Sequence, residues 1–529
     1  MPRWSKAVPA AALLAAALLA AALVASPGMA QTPKPATGTI SIAFGAEAVM
    51  LDPARSAAGV DQYFFGQMFE QLVRVDPSLK KIPWLAESWS VKQEGGKPYV
   101  DIQLRRDVTF HNGDPLTAED FEYAFRRQSD NKLTIWSHLQ AAVEAFEIVD
   151  PHHFRIRFKE GDGSYIAGDL LLWAVPKRHI EKVGLDEFAK NPVGTGPWKF
   201  VSRTIKEELR LEAFDGYWNK TNRPGVKNLI VKIIPEDLTR VAAFKTGAVD
   251  WIDAVPPAMA EEFRRMPGVT TLGMVSPNNM YISMDATGPD SRFQDIRVRQ
   301  ALAYAINVDA IIKSVLFGQG ERYVEVGKGG VGYDPDLKPY PYDPKKSRDL
   351  LREAGFPNGF DTPCYNLTSP REPYQKEVGE AYFAYATAVG IRCKVQGMEY
   401  GTWITFGRRE RQGHIDGLYS NMWGQGLPGD PGTPWAGHLH SYVPGAGWGA
   451  TSVHDDKEID ALVEQLKRTM DVAERDALAR KIARVKHDRV AGGLTTYRPV
   501  VTFAWRDKIS FKPWPMAFWR SMQEIGLNQ

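Results

Sequence analysis

The chain has 529 residues, 44% of them hydrophobic and 24% charged, with 65 basic and 63 acidic side chains. That length is too great for one ordinary core, so two or three lobes are expected of a protein with globular composition. The near balance of charge, with no basic stripe, argues against a nucleic-acid partner.

Arg3 and Lys6 precede an unbroken apolar run from Ala10 to Ala25, and Gly28-Met29-Ala30 has the small-x-small form of a signal-peptidase site. Residues 1–30 therefore read as a cleaved secretory signal, and the mature protein as periplasmic. The competing reading is an uncleaved anchor, because the run approaches the roughly 20 residues that span a bilayer. Without Arg3 and Lys6 the chain keeps 63 basic residues against 63 acidic ones.

After a polar leader, Thr39 to Phe44 alternates as a strand does, Leu51-Asp52-Pro53 is a turn, and Asp61 to Val73 has helical spacing. Trp84 to Trp89 and Tyr99 to Leu104 are strands. A tight turn follows at Asn112-Gly113-Asp114, with His111 in a structural role beside it. Thr117 is placed to cap a helix whose first turn carries Glu119 and Asp120. His153 to Phe158 alternates again, and Asn191 to Trp198 is bent by two glycines and two prolines. Leu209 to Phe214, Leu229 to Ile234 and Val249 to Ile252 are strands, with a short helix at Leu238 to Lys245.

From Tyr281 the pattern changes. Arg297 to Leu316 reads as one long amphipathic helix and Ser347 to Ala354 as another. Strand Cys364 to Leu367, helix Tyr374 to Val389 and strand Ile391 to Gln396 form a β-α-β unit with parallel pairing. Glu458 to Asp488 is helical, and Leu494 to Phe503 supplies final strands. Cys364 and Cys393 are the only cysteines. Neither lies near the signal, so an N-terminal lipid anchor is not expected. Their strands leave both a disulfide and two free thiols open.

There is no G-x-S-x-G elbow, H-E-x-x-H pair or phosphate loop, so no enzyme and no cofactor is expected. A secreted hydrolase using paired carboxylates is the weaker alternative, since Glu119-Asp120 and Asp455-Asp456 are explained by helix capping. His438 and His440 are two apart and would share a strand face, but no acid or cysteine follows at ligand spacing, so no metal site is expected.

Five blocks in order carry a family resemblance: Leu51-Asp52-Pro53; LAESWSV with VTFHNGDPLTAEDF; NPVGTGPWKF with FDGYWNK; FKTGAVDWID; and FQDIRVRQALAYAINVDAII. Together they make the chain resemble the extracellular solute-binding proteins of peptide, dipeptide and nickel ABC importers. The resemblance implies an α/β, two-lobed periplasmic-binding-protein fold (type II-like, cluster C) with an extra subdomain inserted in the first lobe. It places lobe I at 31–60, 191–275 and 495–529, the insert at 61–190 and lobe II at 276–494. It further implies a monomer that closes on a short-peptide or small-molecule ligand and passes it to an inner-membrane permease with cytoplasmic ATPase subunits.

In peptide-binding members a lobe II loop carries a Trp, then an aspartate for the ligand's amine, then Asp-Pro. Here Trp423 matches the Trp and Asp430-Pro431 the closing pair, while the amine position falls on Leu427. A buried ammonium without counter-charge is costly, so this departure sets the chain apart from receptors for free dipeptides unless Asp430 shifts in to serve. Arg371, with Tyr374 behind it, matches an arginine that forks onto a ligand carboxylate; pairing with Glu372 or Glu377 is the alternative. Asn279 and Tyr281 just past the lobe crossing, and Trp403, Asn421 and Gln425 in lobe II, complete a set of rings and amides. Such a set also suits a non-peptide solute, namely an oligosaccharide, organic acid or opine-like conjugate.

Overall fold

The computed structural model describes residues 36–56, 60–76, 80–130, 140, 142–163, 172–276, 278–288, 290–367, 374–399, 417–424, 430–443, 453–511 and 522–528. In chain order the strands begin with β1 (Thr39–Phe44), β2 (Val73–Val75), β3 (Lys81–Pro83), β4 (Ala86–Glu94), β5 (Lys97–Leu104), β6 (Val143–Asp150) and β7 (His153–Phe158). Next come β8 (Trp198–Thr204), β9 (Glu208–Ala213), β10 (Asn228–Ile233), β11 (Trp251–Val255), β12 (Val269–Val275) and β13 (Asn278–Met284). The last are β14 (Gly320–Arg322), β15 (Phe360–Leu367), β16 (Ile391–Met398), β17 (Leu418–Gly424), β18 (Leu494–Arg506), β19 (Ile509–Ser510) and β20 (Gly526–Leu527).

Twelve strands share one mixed sheet in the order β16-β15-β17-β13-β18-β11-β1-β10-β9-β8, with β12 and β14 also paired to β18. β18 joins its halves. Leu494 to Tyr497 pairs with β13, and Val500 to Arg506 pairs with β12. Pro499 sits where the partner changes; it lacks an N–H, and its carbonyl accepts from Ser276 N at 2.7 Å.

Each half has its own core. Ile40, Ile42, Trp198, Leu229 and Trp251 pack on one side, and Met280, Ile282, Val298, Leu302 and Leu418 on the other. Burying each such side chain is worth roughly 1.5–3 kcal/mol. A separate antiparallel sheet, β4-β5-β7-β6, carries a third core that draws on Leu72 through Ala174. Helix Ala118–Ser129 closes it, with Phe121 stacked on Phe154 at 5.8 Å. Asp120 accepts from the Thr117 backbone at 2.8 Å and from Lys177 N at 3.0 Å, tying two helix starts together.

Two of the recurrent sequence blocks meet at His111. Its backbone N donates to Gly194 O at 2.8 Å, while its ring accepts from Gly194 N and reaches Gly196 O. A Cβ on Gly194 would lie 2.0 Å from Met68 O, so only glycine fits that approach. Nearby, the buried Glu70 carboxylate accepts from Trp84 Nε1 and Tyr217 OH, both at 2.7 Å, and from Trp218 Nε1 at 3.0 Å. Burial pushes its pKa up against those bonds.

Several elements differ from expectation. The helix at Asp61 ends at Met68, where Phe69 turns extended and joins the first core. The expected helix Arg297–Leu316 is two, Ile296–Ala305 and Val308–Ser314. Ile306 is extended, and Asn307 caps the second by accepting from Ala310 N at 2.9 Å. Leu494 to Phe503 belongs to a single strand of 13 residues. His438 ends helix Gly432–His438, so it shares no strand face with His440.

Candidate ligand site

β15 runs parallel to β16, with Cys364 opposite Val395, and parallel to β17, with Cys364 opposite Leu418. The carboxyl ends of all three strands therefore lie on one edge. The chain leaves β15 through helix Gln375–Val389 to β16 on one side, yet β17 lies on the other. Such a switch point opens a crevice at the strands' carboxyl ends, where ligands bind in open α/β sheets. A Cys364–Cys393 disulfide, Cα atoms 5.3 Å apart, clamps β15 to β16 and decides between the two thiol readings.

β13 starts at this edge and runs antiparallel to β17, placing Asn279 opposite Trp423 and Tyr281 opposite Asn421. Alternation sends Met280, Ile282 and Met422 into the core and puts Asn279, Tyr281 and Asn421 on the other face. Three candidates from two strands distant in sequence thus share one patch. Asn279, Tyr281 and Asn421 are buried. Tyr374 stands at the mouth of the β15 connection, a half-buried residue with φ of 59° at the start of helix Gln375–Val389, its ring 6.0 Å from Phe317. Arg371, Trp403, Gln425 and Leu427 lie outside the described residues, in the connections that follow β15, β16 and β17.

Asp430 is buried, and both its oxygens are taken by Arg475: Nε at 2.6 Å and Nη2 at 2.7 Å. Gly432 N adds a third bond at 2.8 Å. This carboxylate is tied to helix Val472–Arg489 and already has a counter-charge in Arg475, so the expectation that it would shift in to serve a ligand amine competes with that pair. Trp435 is core, 2% exposed. Burial holds the His438 imidazole down at about 3 and His454 at about 4, so both are neutral. Among the described residues no group of three metal-ligating side chains is present.

Three neighbours were not legible in sequence. Thr495 on β18 lies opposite Tyr281, on the strand flanking the side away from Asn421. Lys486 Nζ reaches Thr495 Oγ1 at 3.2 Å and the buried Glu325 carboxylate at 2.5 Å. Glu325, Lys486 and Thr495 are far apart in sequence, and the pairing of β18 with β13 sets Thr495, and with it this pair, beside Tyr281.

In the other half of the sheet β1 is parallel to β10 and β11, so those strands also end on a common edge. The turn after β1 is held by Asp61, which accepts from Val49 N at 2.7 Å and Met50 N at 3.1 Å. Arg203 fixes Glu47 at 2.8 Å, while the Val49 side chain stands in solvent.

A mixed sheet joined by one shared strand, with parallel strands ending at a switch point in one half, is the architecture of a periplasmic binding protein. The sequence profile of bacterial extracellular solute-binding proteins, family 5 (middle), matches residues 80–442, and the chain belongs to that family, the substrate-binding components of ABC importers. The glutathione-binding protein GsiB of Pectobacterium atrosepticum is 29% identical over 379 residues, 70% of this chain and 72% of that one. Among solved structures, the substrate-binding protein CtaP of Listeria monocytogenes superposes with a TM-score of 0.80 at 18% identity, over 94% of this chain and 100% of that one. The periplasmic binding protein DppA of Helicobacter pylori, in complex with the peptide STSA, gives 0.76 at 23% identity, over 93% and 98%.

Proposed function

We propose that this chain is a monomeric periplasmic receptor, without enzymatic activity, that captures a small peptide-like solute in the crevice beyond β15 and β17. It hands that solute to an inner-membrane permease driven by cytoplasmic ATPase subunits. The observation that carries this reading is the convergence of Asn279, Tyr281 and Asn421 on one sheet face at a switch-point edge, with Trp423 at the register position opposite Asn279. Tyr374, Arg371, Trp403, Gln425 and Leu427 would add contacts from the connections leaving that edge, with Arg371 as the carboxylate fork. The mature protein begins after the signal at residues 1–30, and lobes divided near residues 275 and 494 close over the ligand.

The curated relatives named for glutathione and the relative solved with a tetrapeptide both favour a peptide-like ligand. Leu427 where receptors for free dipeptides carry an acid, together with the commitment of Asp430 to Arg475, disfavours recognition through a free amine. Glutathione and amine-blocked peptides are therefore the first probes. Titration calorimetry of protein purified from the periplasm is expected to give a Kd of about 1 μM, some 8 kcal/mol of binding free energy, for at least one of them. Binding of only an oligosaccharide, organic acid or opine would overturn the peptide-like reading.

A further inference from the structure

Asn279 Oδ1 and Asn421 Nδ2 are both buried and both lack a hydrogen-bond partner. Asn279 is 7% exposed and Asn421 fully buried, so water does not serve them freely. A buried polar atom left unbonded is costly, so a ligand able to bond both atoms at once is favoured here. The orientation of Asn421 is fixed: its Oδ1 accepts from Met422 N at 2.8 Å, which leaves the NH2 as the free end. The two side chains are diagonal neighbours across the β13–β17 pair, because Asn279 faces Trp423 and Tyr281 faces Asn421. One offers an acceptor and the other a donor on the same face.

Two charge pairs on the elements around this face are closed on themselves. Lys486 and Glu325 are paired with each other at 2.5 Å, and Asp430 is paired with Arg475. A neutral amide seated between the two asparagines needs one N–H acceptor and one C=O donor, which are the two atoms they leave unbonded. We infer that Asn279 and Asn421 read an amide of the ligand, Asn279 Oδ1 accepting its N–H and Asn421 Nδ2 donating to its C=O. This inference rests on the ligand site proposed above and narrows the substrate to molecules carrying a secondary or primary amide.

The test has two readouts. In the ligand-free protein, Asn279→Leu is expected to keep or raise Tm, since it removes an unbonded buried acceptor; Asn421→Leu also loses the bond from Met422 N and is read for binding only. A clear fall in Tm for Asn279→Leu would mean that its oxygen is already satisfied by an internal water, and would overturn the inference. For binding, glutathione, N-acetyl-Gly-Leu and glutamine are titrated into the parent protein. The best binder is then compared with its analogue methylated on the amide nitrogen. Loss of about tenfold or more with the methylated analogue, and a similar loss in the two variants, is the expected result. Equal affinity for both ligands would overturn the amide reader while leaving the peptide-like receptor standing. No binding by any of the three would remove both.

Discussion

His111 accepts the amide of Gly194 at Nδ1, 3.2 Å away, and donates from Nε2 to the carbonyl of Gly196 at 2.9 Å. That arrangement requires a neutral ring, and burial holds its pKa down at about 4, with the Gly196 carbonyl opposing and Lys199 adding to the shift. The sign follows directly. The unfolded chain protonates near pH 6.5 and the folded protein only near 4. The stabilisation is therefore complete above about 6.5 and is lost as pH falls toward 4, at up to about 1.4 kcal/mol per pH unit. In His111→Gln, whose amide can both accept and donate but does not titrate, the urea midpoint is expected to fall less steeply between pH 6.5 and 4.5 than in the parent. Equal slopes would assign the acid sensitivity to His438 and His454, which remain in both proteins and are also held low by burial. The structural role of His111 was legible in sequence from its place in a tight-turn block, but its partners were not, because Gly194 and Gly196 are more than eighty residues away.

The β15–helix–β16 unit carries the clearest consequence among the elements. Its disulfide closes a separation of 29 residues and ties the central strand of the ligand edge to the outer one. In the chain-entropy account such a loop is worth about 3 kcal/mol, so the double variant Cys364→Ala, Cys393→Ala is expected to unfold at a lower Tm than the parent. Reductant should lower the parent's Tm in the same way and leave the double variant unmoved. An unchanged Tm in the double variant would show that the strands are held by their ladder alone. Period-two alternation made β1, β5 and β7 readable, and the apolar-helix-apolar rhythm revealed the parallel pairing of β15 with β16. Two failures have local causes. The long helix predicted from Arg297 is cut because Asn307 is a better cap than a helix interior residue. β18 looks like an ordinary strand because alternation reports a face and not a partner. Its change of neighbours at Pro499 is invisible in one dimension. For the same reason Asn279, Tyr281 and Asn421 were legible as types suited to a site, and Trp423 from a family loop, but the shared face of the first three came only from register.

At the scale of the whole molecule, the two halves of the large sheet are linked by the β12–β13 step and by β18, and the two links are bonded to each other. Ser276 N donates to Pro499 O at 2.7 Å, and Arg498 Nε donates to Ser276 O at 2.9 Å. The Arg498 guanidinium also lies over the Tyr323 ring at 5.0 Å, so one side chain braces both crossings against the β14 segment. In the proposed two-lobed reading these crossings are the hinge, which would bend as a unit, and a ligand held between the halves would stabilise whichever bend buries it. Arg498→Ala removes the brace without touching the patch on β13 and β17. It is expected to cost about 1.5–3 kcal/mol of stability, the worth of a hydrogen bond from a charged donor. It is also expected to loosen the ligand-free protein, seen as a larger radius of gyration by small-angle scattering. Saturating ligand should restore the parent's radius, because closure then supplies the missing constraint. The apparent Kd should weaken by the fraction of molecules shifted away from the closing geometry, a factor of about 3–10. A variant whose free radius and affinity both match the parent would place the bending elsewhere than at Ser276 and Pro499.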